Sequence, residues 1–197
     1  AVNNVYDTVV ELIRKFHYQE VLAGDTSIEG ISKRENVQEL VDSIQQAVID
    51  NREAGMLVGQ HLLDLGVKSV SFVGWLEMCC NVKHRLSGLL SAIAHKRGMR
   101  LVNTYMLQHD EADMLKKWKT HLPDAIACSS DLVAAHVLSL LRKIGKRCPD
   151  DVLVTGVNGV DLATLVSPPL TTVRQPCEAI ARTALKMLLE RISSPSL

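Results

Sequence analysis

The sequence predicts an α/β fold in which a parallel sheet is covered by helices on both faces. Three observations carry this. Short apolar and β-branched runs at residues 70–74 (VSFVG), 125–128 (AIAC) and 152–157 (VLVTGV) read as strands buried on both sides. Longer stretches with helical apolar spacing separate them. Glycine or proline punctuates the alternation at Gly66, Gly98, Pro123 and Gly145. Strand and helix in regular succession place parallel strands side by side with crossover helices packed on the sheet.

Taken in order, residues 51–65 form a helix, with Leu57, His61, Leu62 and Leu65 at helical spacing. Asp50 can cap its start and Gly66 ends it. Strand 70–74 follows, then a helix at 83–97 that Gly98 stops. A strand at 101–107 leads to a helix at 111–122, closed by Pro123. Strand 125–128 leads to a helix that Ser130 or Asp131 caps and that runs to Ile144. Strand 152–157, a short strand at 170–173 and an amphipathic helix at 177–192 complete the series. Ahead of them, 6–16 reads as helix, 19–23 as strand, 24–33 as loop, 35–43 as helix and 46–49 as an extended entry. In open parallel sheets ligands sit beyond the carboxyl ends of the strands, which directs attention to the residues after Gly74, Cys128 and Val157.

Composition narrows the function. Of 197 residues 47% are hydrophobic, ordinary for a globular chain. Lys plus Arg and Asp plus Glu balance at 22 each, so these residues carry no basic footprint for nucleic acid or an anionic membrane. Five cysteines, an odd number with Cys79 and Cys80 adjacent and no Cys-x-x-Cys, argue against a disulfide framework and a thiolate zinc site and suit a reducing cytoplasm. No apolar run reaches membrane-spanning length, and the first residues lack the order of a signal peptide. No nucleophile elbow, zinc-protease, phosphate-loop or dinucleotide motif is present, so an enzyme is not expected and no cofactor is implied.

Four segments then resemble a known family. They are Val48-Ile49-Asp50-Asn51 with Ala54-Gly55, His61-Leu62-Leu63 and Gly66; strand 70–74 with Arg85-Leu86-Ser87-Gly88; Asp124-Ala125-Ile126 with Ser129-Ser130-Asp131; and Pro149-Asp150-Asp151-Val152, Gly156 and the run Pro168-Pro169-Leu170-Thr171-Thr172-Val173-Arg174-Gln175-Pro176. In this order and spacing they resemble the effector-binding domain of LacI/GalR transcription regulators, over about residues 46–193. The resemblance implies parallel-sheet, Rossmann-like lobes of the type 1 periplasmic-binding-protein fold. Residues 50–174 correspond to a complete C-terminal lobe, and 1–49 with 175–197 to a partial N-terminal lobe. It also implies a small-molecule effector, a sugar or related compound, and a homodimer. DNA would be contacted through a helix-turn-helix segment absent from these residues. A periplasmic sugar-binding protein of a transport system shares the fold and is the alternative.

Five residues are candidate ligand contacts. Arg85 matches the family's effector-binding arginine, and its planar fork of donors suits vicinal hydroxyls or a carboxylate; otherwise it is an exposed helix arginine. Asn158 stands where the family usually carries an aspartate, which removes a charge; otherwise Asn158-Gly159 is simply a turn. Ser130 can reach a hydroxyl, whereas Asp131 is better explained as a helix cap. Trp75, at the mouth of a strand, can stack on a sugar face or a base, or pack in a loop or subunit contact. His109, Asp110, Glu111 and Asp113 suggest a metal less well than acidic residues placed at a helix start, and no metal is expected.

Overall fold

The computed structural model describes residues 26–27, 51–75, 80–95, 98–176, 178–179 and 182. The chain divides into two compact units, Ala1–Ile49 with Pro176–Leu197, and Asp50–Gln175. The elements expected at 6–49 and the helix at 177–192 lie outside the described residues, but for isolated positions, as do Cys79 and Cys177. The second unit holds the sheet and its helices.

Its elements run α1 (Asn51–Asp64), β1 (Ser69–Gly74), α2 (Cys80–His95), β2 (Arg100–Met106), α3 (Leu107–Thr120), β3 (Ala125–Cys128), α4 (Asp131–Lys143), β4 (Leu153–Asn158), the single turn α5 (Leu162–Leu165) and β5 (Thr171–Arg174). The five strands form one sheet in the order β2-β1-β3-β4-β5, with every pairing parallel. This is the parallel α/β lobe that the sequence predicts.

Alternation along the strands divides the layers. Val73, Ile126, Cys128 and Val154 face a core built with Met114 and Trp118 of α3 and Val133, Val137 and Leu141 of α4. Each large side chain fully buried there contributes about 1.5–3 kcal/mol. Phe72 and Ala127, on the opposite face, meet Val58 of α1 and Leu89 of α2. Positive φ at Gly66 (78°) and Gly145 (72°) marks the ends of α1 and α4, where a side chain would be strained.

Two helices begin earlier than their periodicity suggests. The α3 helix starts at Leu107, because the Asp110 carboxylate reaches back and accepts from the Met106 N–H at 2.7 Å. The α2 helix starts at Cys80, three residues ahead of the apolar pattern at 83. A one-turn helix such as α5 carries no amphipathic period to read.

Helices α1 and α2 touch at backbone level. A Cβ on Gly55 would lie 2.0 Å from the Arg85 carbonyl oxygen, and one on Gly88 1.9 Å from that of Arg52. Glycine is therefore required at both positions. The same contact fixes where Arg85 leaves its helix.

Candidate effector-binding site

The carboxyl ends of β3 and β4 converge on Arg85. Its stem crosses a small apolar hollow lined by Val58, Phe72, Leu89, Ala127 and Val157. Only 5% of the residue is exposed, so its charge needs partners. Nε donates to Asn51 Oδ1 at 2.8 Å, Nη2 donates to Asn158 Oδ1 at 3.1 Å, and Nη1 donates to the Ser129 carbonyl. Ser129 is itself set by its N–H, which donates to the Val73 carbonyl at 2.8 Å and extends the β1–β3 ladder by a residue. Two strand ends, those of β3 and β4, and the first residue of α1 thus hold one guanidinium.

Asn158 closes β4 with φ at 130°, a conformation rare outside glycine. Such a position costs of order 1–3 kcal/mol and persists only where the surroundings over-determine it. Here they do: Arg85 holds the side chain, and the Gln175 N–H donates to the Asn158 carbonyl at 3.1 Å. Gly159 follows with φ at 68°, and a Cβ there would meet Arg174 at 2.7 Å. Asn158 is therefore both turn residue and partner of Arg85.

Ser130 is the N-cap of α4; its Oγ accepts from the Val133 N–H at 3.3 Å. Asp131, 0% exposed, begins the helix instead of capping it. One of its oxygens accepts from the Val160 N–H at 2.9 Å and the other from the Thr172 hydroxyl, bracing the turn after β4 against β5. A Cβ on Gly156 would fall 2.3 Å from Asp131 Oδ1, so that glycine makes room for the carboxylate. Trp75, 44% exposed, lies edge-on to His136 with ring centroids 5.6 Å apart. His136 Nε2 in turn is 3.0 Å from Glu111 Oε2.

Of the five candidates, Arg85 and Asn158 are thus directly bonded. Ser130 adjoins them through Ser129, Asp131 is committed to the β4–β5 brace, and Trp75 packs on α4. Two further residues belong to the cluster. Asn51 reads in sequence as a helix start within one of the resemblance segments, and nothing local shows that it meets a side chain 34 positions away. Gln175 is 4% exposed, and among the described residues its Nε2 has no hydrogen-bond partner, as holds also for Ser71 Oγ, Tyr105 Oη, Trp118 Nε1 and Thr155 Oγ1. A buried, unsatisfied amide is uncommon enough to call for a ligand or water, but burial cannot be seen in sequence.

Other polar groups are spent elsewhere. Asp113 pairs with Lys117 at 2.7 Å, Asp110 holds Met106 and Glu111 meets His136. Among the described residues no group of three or more His, Cys, Asp or Glu side chains is placed to hold a metal. Burial pushes the Cys128 thiol far above its ordinary range, with Asp131 adding to the rise, so it stays protonated and unreactive beside the site. No described helix is long and apolar enough to cross a membrane.

A parallel α/β lobe with a buried polar cluster at its strand ends is the arrangement in which open α/β sheets bind small molecules. The chain belongs to the periplasmic binding protein-like domain family, whose model matches residues 59–196, and within it to the effector-binding domains of LacI-family regulators. It is 32% identical over 161 residues to the HTH-type transcriptional repressor PurR of Photobacterium profundum, covering 78% of this chain and 47% of that protein. A LacI family transcriptional regulator from Enterococcus faecium with bound ribose superposes with a TM-score of 0.65 at 26% identity, over 75% of this chain and 56% of that one. A periplasmic binding protein/LacI transcriptional regulator from Alkaliphilus metalliredigens, complexed with D-xylulofuranose, gives 0.63 at 27%, over 74% and 56%. The chain spans about half the length of the curated relatives it matches. These similar proteins are named as transcription regulators, one of them jointly as a periplasmic binding protein.

Proposed function

We propose that this chain is the effector-sensing part of a cytoplasmic, non-enzymatic transcription regulator, and that its second unit supplies one wall of the pocket for a sugar or related small molecule. The Arg85–Asn51–Asn158–Ser129 cluster carries the reading. It places a buried guanidinium and a strained asparagine where parallel α/β lobes bind ligands. Ser130, Gln175 and Trp75 are the further contacts proposed around it. Ribose and xylulofuranose in two similar structures support the ligand class. Residues 1–49 with 175–197 are proposed as the partial N-terminal lobe.

In the full-length protein a helix-turn-helix segment would contact DNA, as the relative's name indicates for it. Effector would act by binding one conformation of the regulator more tightly than another, because a ligand shifts an equilibrium only by its differential affinity. A homodimer belongs to the same proposal. Leu132 on α4, Val160 in the loop after β4 and Leu165 on α5 are exposed apolar side chains, the kind of surface through which proteins make contact.

The test is thermal unfolding of the full-length protein against pentoses, hexoses, their phosphates and nucleobases. A true effector at a hundredfold its Kd stabilises the protein by about 2.7 kcal/mol. Arg85→Ala should abolish that shift. A shift that survives Arg85→Ala removes the site assignment.

A further inference from the structure

The turn after β4 is tied down residue by residue. The Asn158 carbonyl accepts from the Gln175 N–H at 3.1 Å. The Gly159 N–H donates to Thr172 Oγ at 3.3 Å, and the Val160 N–H donates to Asp131 Oδ2 at 2.9 Å. Thr172 in turn donates to Asp131 Oδ1. A backbone N–H only donates, so Thr172 meets Gly159 with a lone pair and keeps its proton for the carboxylate. One hydroxyl and one carboxylate thus close a ring of hydrogen bonds through the backbone of Gly159 and Val160.

The sheet makes room for this ring. Gly156 and Thr172 are partners in the parallel register of β4 and β5. A Cβ on Gly156 would lie 2.3 Å from Asp131 Oδ1. The carboxylate therefore occupies the place that a side chain at 156 would take, beside Thr172. Glycine inside a strand marks a close approach of this kind. Asp131 is 0% exposed, and each of its oxygens is engaged in the ring. Asn158 needs such a restraint, because its φ of 130° persists only where the surroundings over-determine it. Arg85 holds its side chain at 3.1 Å, and the ring holds the backbone that follows it.

We propose that Thr172, paired with Asp131, is a positioning residue of the effector site: it keeps Asn158 in its strained conformation against Arg85 and sets effector affinity through Asn158. This rests on the effector-pocket reading above. Without the hydroxyl, the Gly159 N–H loses its acceptor and a buried carboxylate oxygen loses a donor. The turn then relaxes toward commoner φ, and the Asn158 oxygen moves off Arg85.

Thr172→Val keeps the shape and removes the hydroxyl, whereas Thr172→Ser keeps the hydroxyl. Both are made in the full-length protein. The Asn158 side-chain amide, followed by heteronuclear NMR, should shift and broaden in Thr172→Val and match the parent in Thr172→Ser. Exchange of the Gly159 amide hydrogen should quicken about tenfold in the first and stay near the parent's rate in the second. D-ribose, titrated calorimetrically, should bind about tenfold more weakly to Thr172→Val and normally to Thr172→Ser. A threonine that served stability alone would lower the unfolding midpoint and leave the Asn158 amide and the ribose affinity in place. Asp131→Asn is the second variant should Thr172→Val fail to fold. It exchanges one accepting oxygen for a donor, so it cannot receive Val160 and Thr172 as the carboxylate does, and it should move the Asn158 amide too. An Asn158 amide that stays in place, a ribose affinity that stays unchanged, or a loss that Thr172→Ser does not restore overturns the inference and leaves the pocket standing. A parent protein that ignores ribose counts against ribose as effector, and the Asn158 amide alone then decides the role of Thr172.

Discussion

Asp124 precedes β3, and one of its oxygens accepts from the backbone N–H groups of Lys68 and Ser69, both at 2.9 Å. Burial pushes its carboxyl upward, but those two bonds and one from the Ser69 side chain outweigh it, and the group is held below its ordinary value. A carboxylate with a folded pKa below its unfolded one stabilises the fold above the unfolded value, about 4. The contribution fades as pH falls through the lower, folded value. Asp124→Asn should therefore lower the urea midpoint at pH 7, and the difference from the parent should shrink on acidification below about pH 4. A difference that stays constant across that range would assign the loss to packing instead. Asp131 is held differently, through the Thr172 hydroxyl and the Val160 N–H in the interior. Sequence presents these two aspartates alike, each beside a short strand; partners from distant segments distinguish them.

At the scale of elements, the pair α1 and α2 sets the site. Gly55 and Gly88 let the helices meet at their backbones, and Arg85 leaves α2 one turn before Gly88. Gly88→Ala forces a methyl to within 1.9 Å of the Arg52 carbonyl oxygen, where neither side is a flexible side chain. Overpacking of this kind costs about 1–3 kcal/mol. The variant should unfold at lower denaturant and lose effector binding, since parting the helices carries Arg85 away from Asn158. Chemical denaturation and ligand titration check both halves. Loss of stability with full binding would show that the crossing does not position Arg85. The helix bodies are legible in sequence because each buries an apolar stripe. Their starts are less so: the Asp110 bond that extends α3 back to Leu107 depends on a carboxylate folding over its own first turn.

At the scale of the molecule, charge and exposed surface matter most. The 197 residues carry 22 basic and 22 acidic side chains, so tight non-specific DNA binding is not expected of them alone. Leu165 is 79% exposed on α5, and Leu132 and Val160 are exposed as well. Leu165→Asp should convert the full-length protein from dimer to monomer in sedimentation velocity without lowering its affinity for effector. A dimer that survives the change, or a parent protein that is already monomeric, would place the contact elsewhere or remove it. The mutation costs the fold little, because that side chain is already in water.

The sequence alone determines the parallel α/β lobe, its alternation of strands and helices, and the place of Asn158 at the end of a strand. These follow from apolar periodicity, glycine and proline punctuation, and motif spacing, which are local along the chain. The tertiary structure alone decides what those residues meet. Arg85 joins Asn51 across 34 positions and Asn158 across 73. Asp131 turns inward to Thr172, 41 residues away, and Gln175 is buried with its Nε2 unpartnered among the described residues. Hydrogen-bond partnership and burial arise from which strands become neighbours, and a pattern read along one segment does not contain the geometry of another.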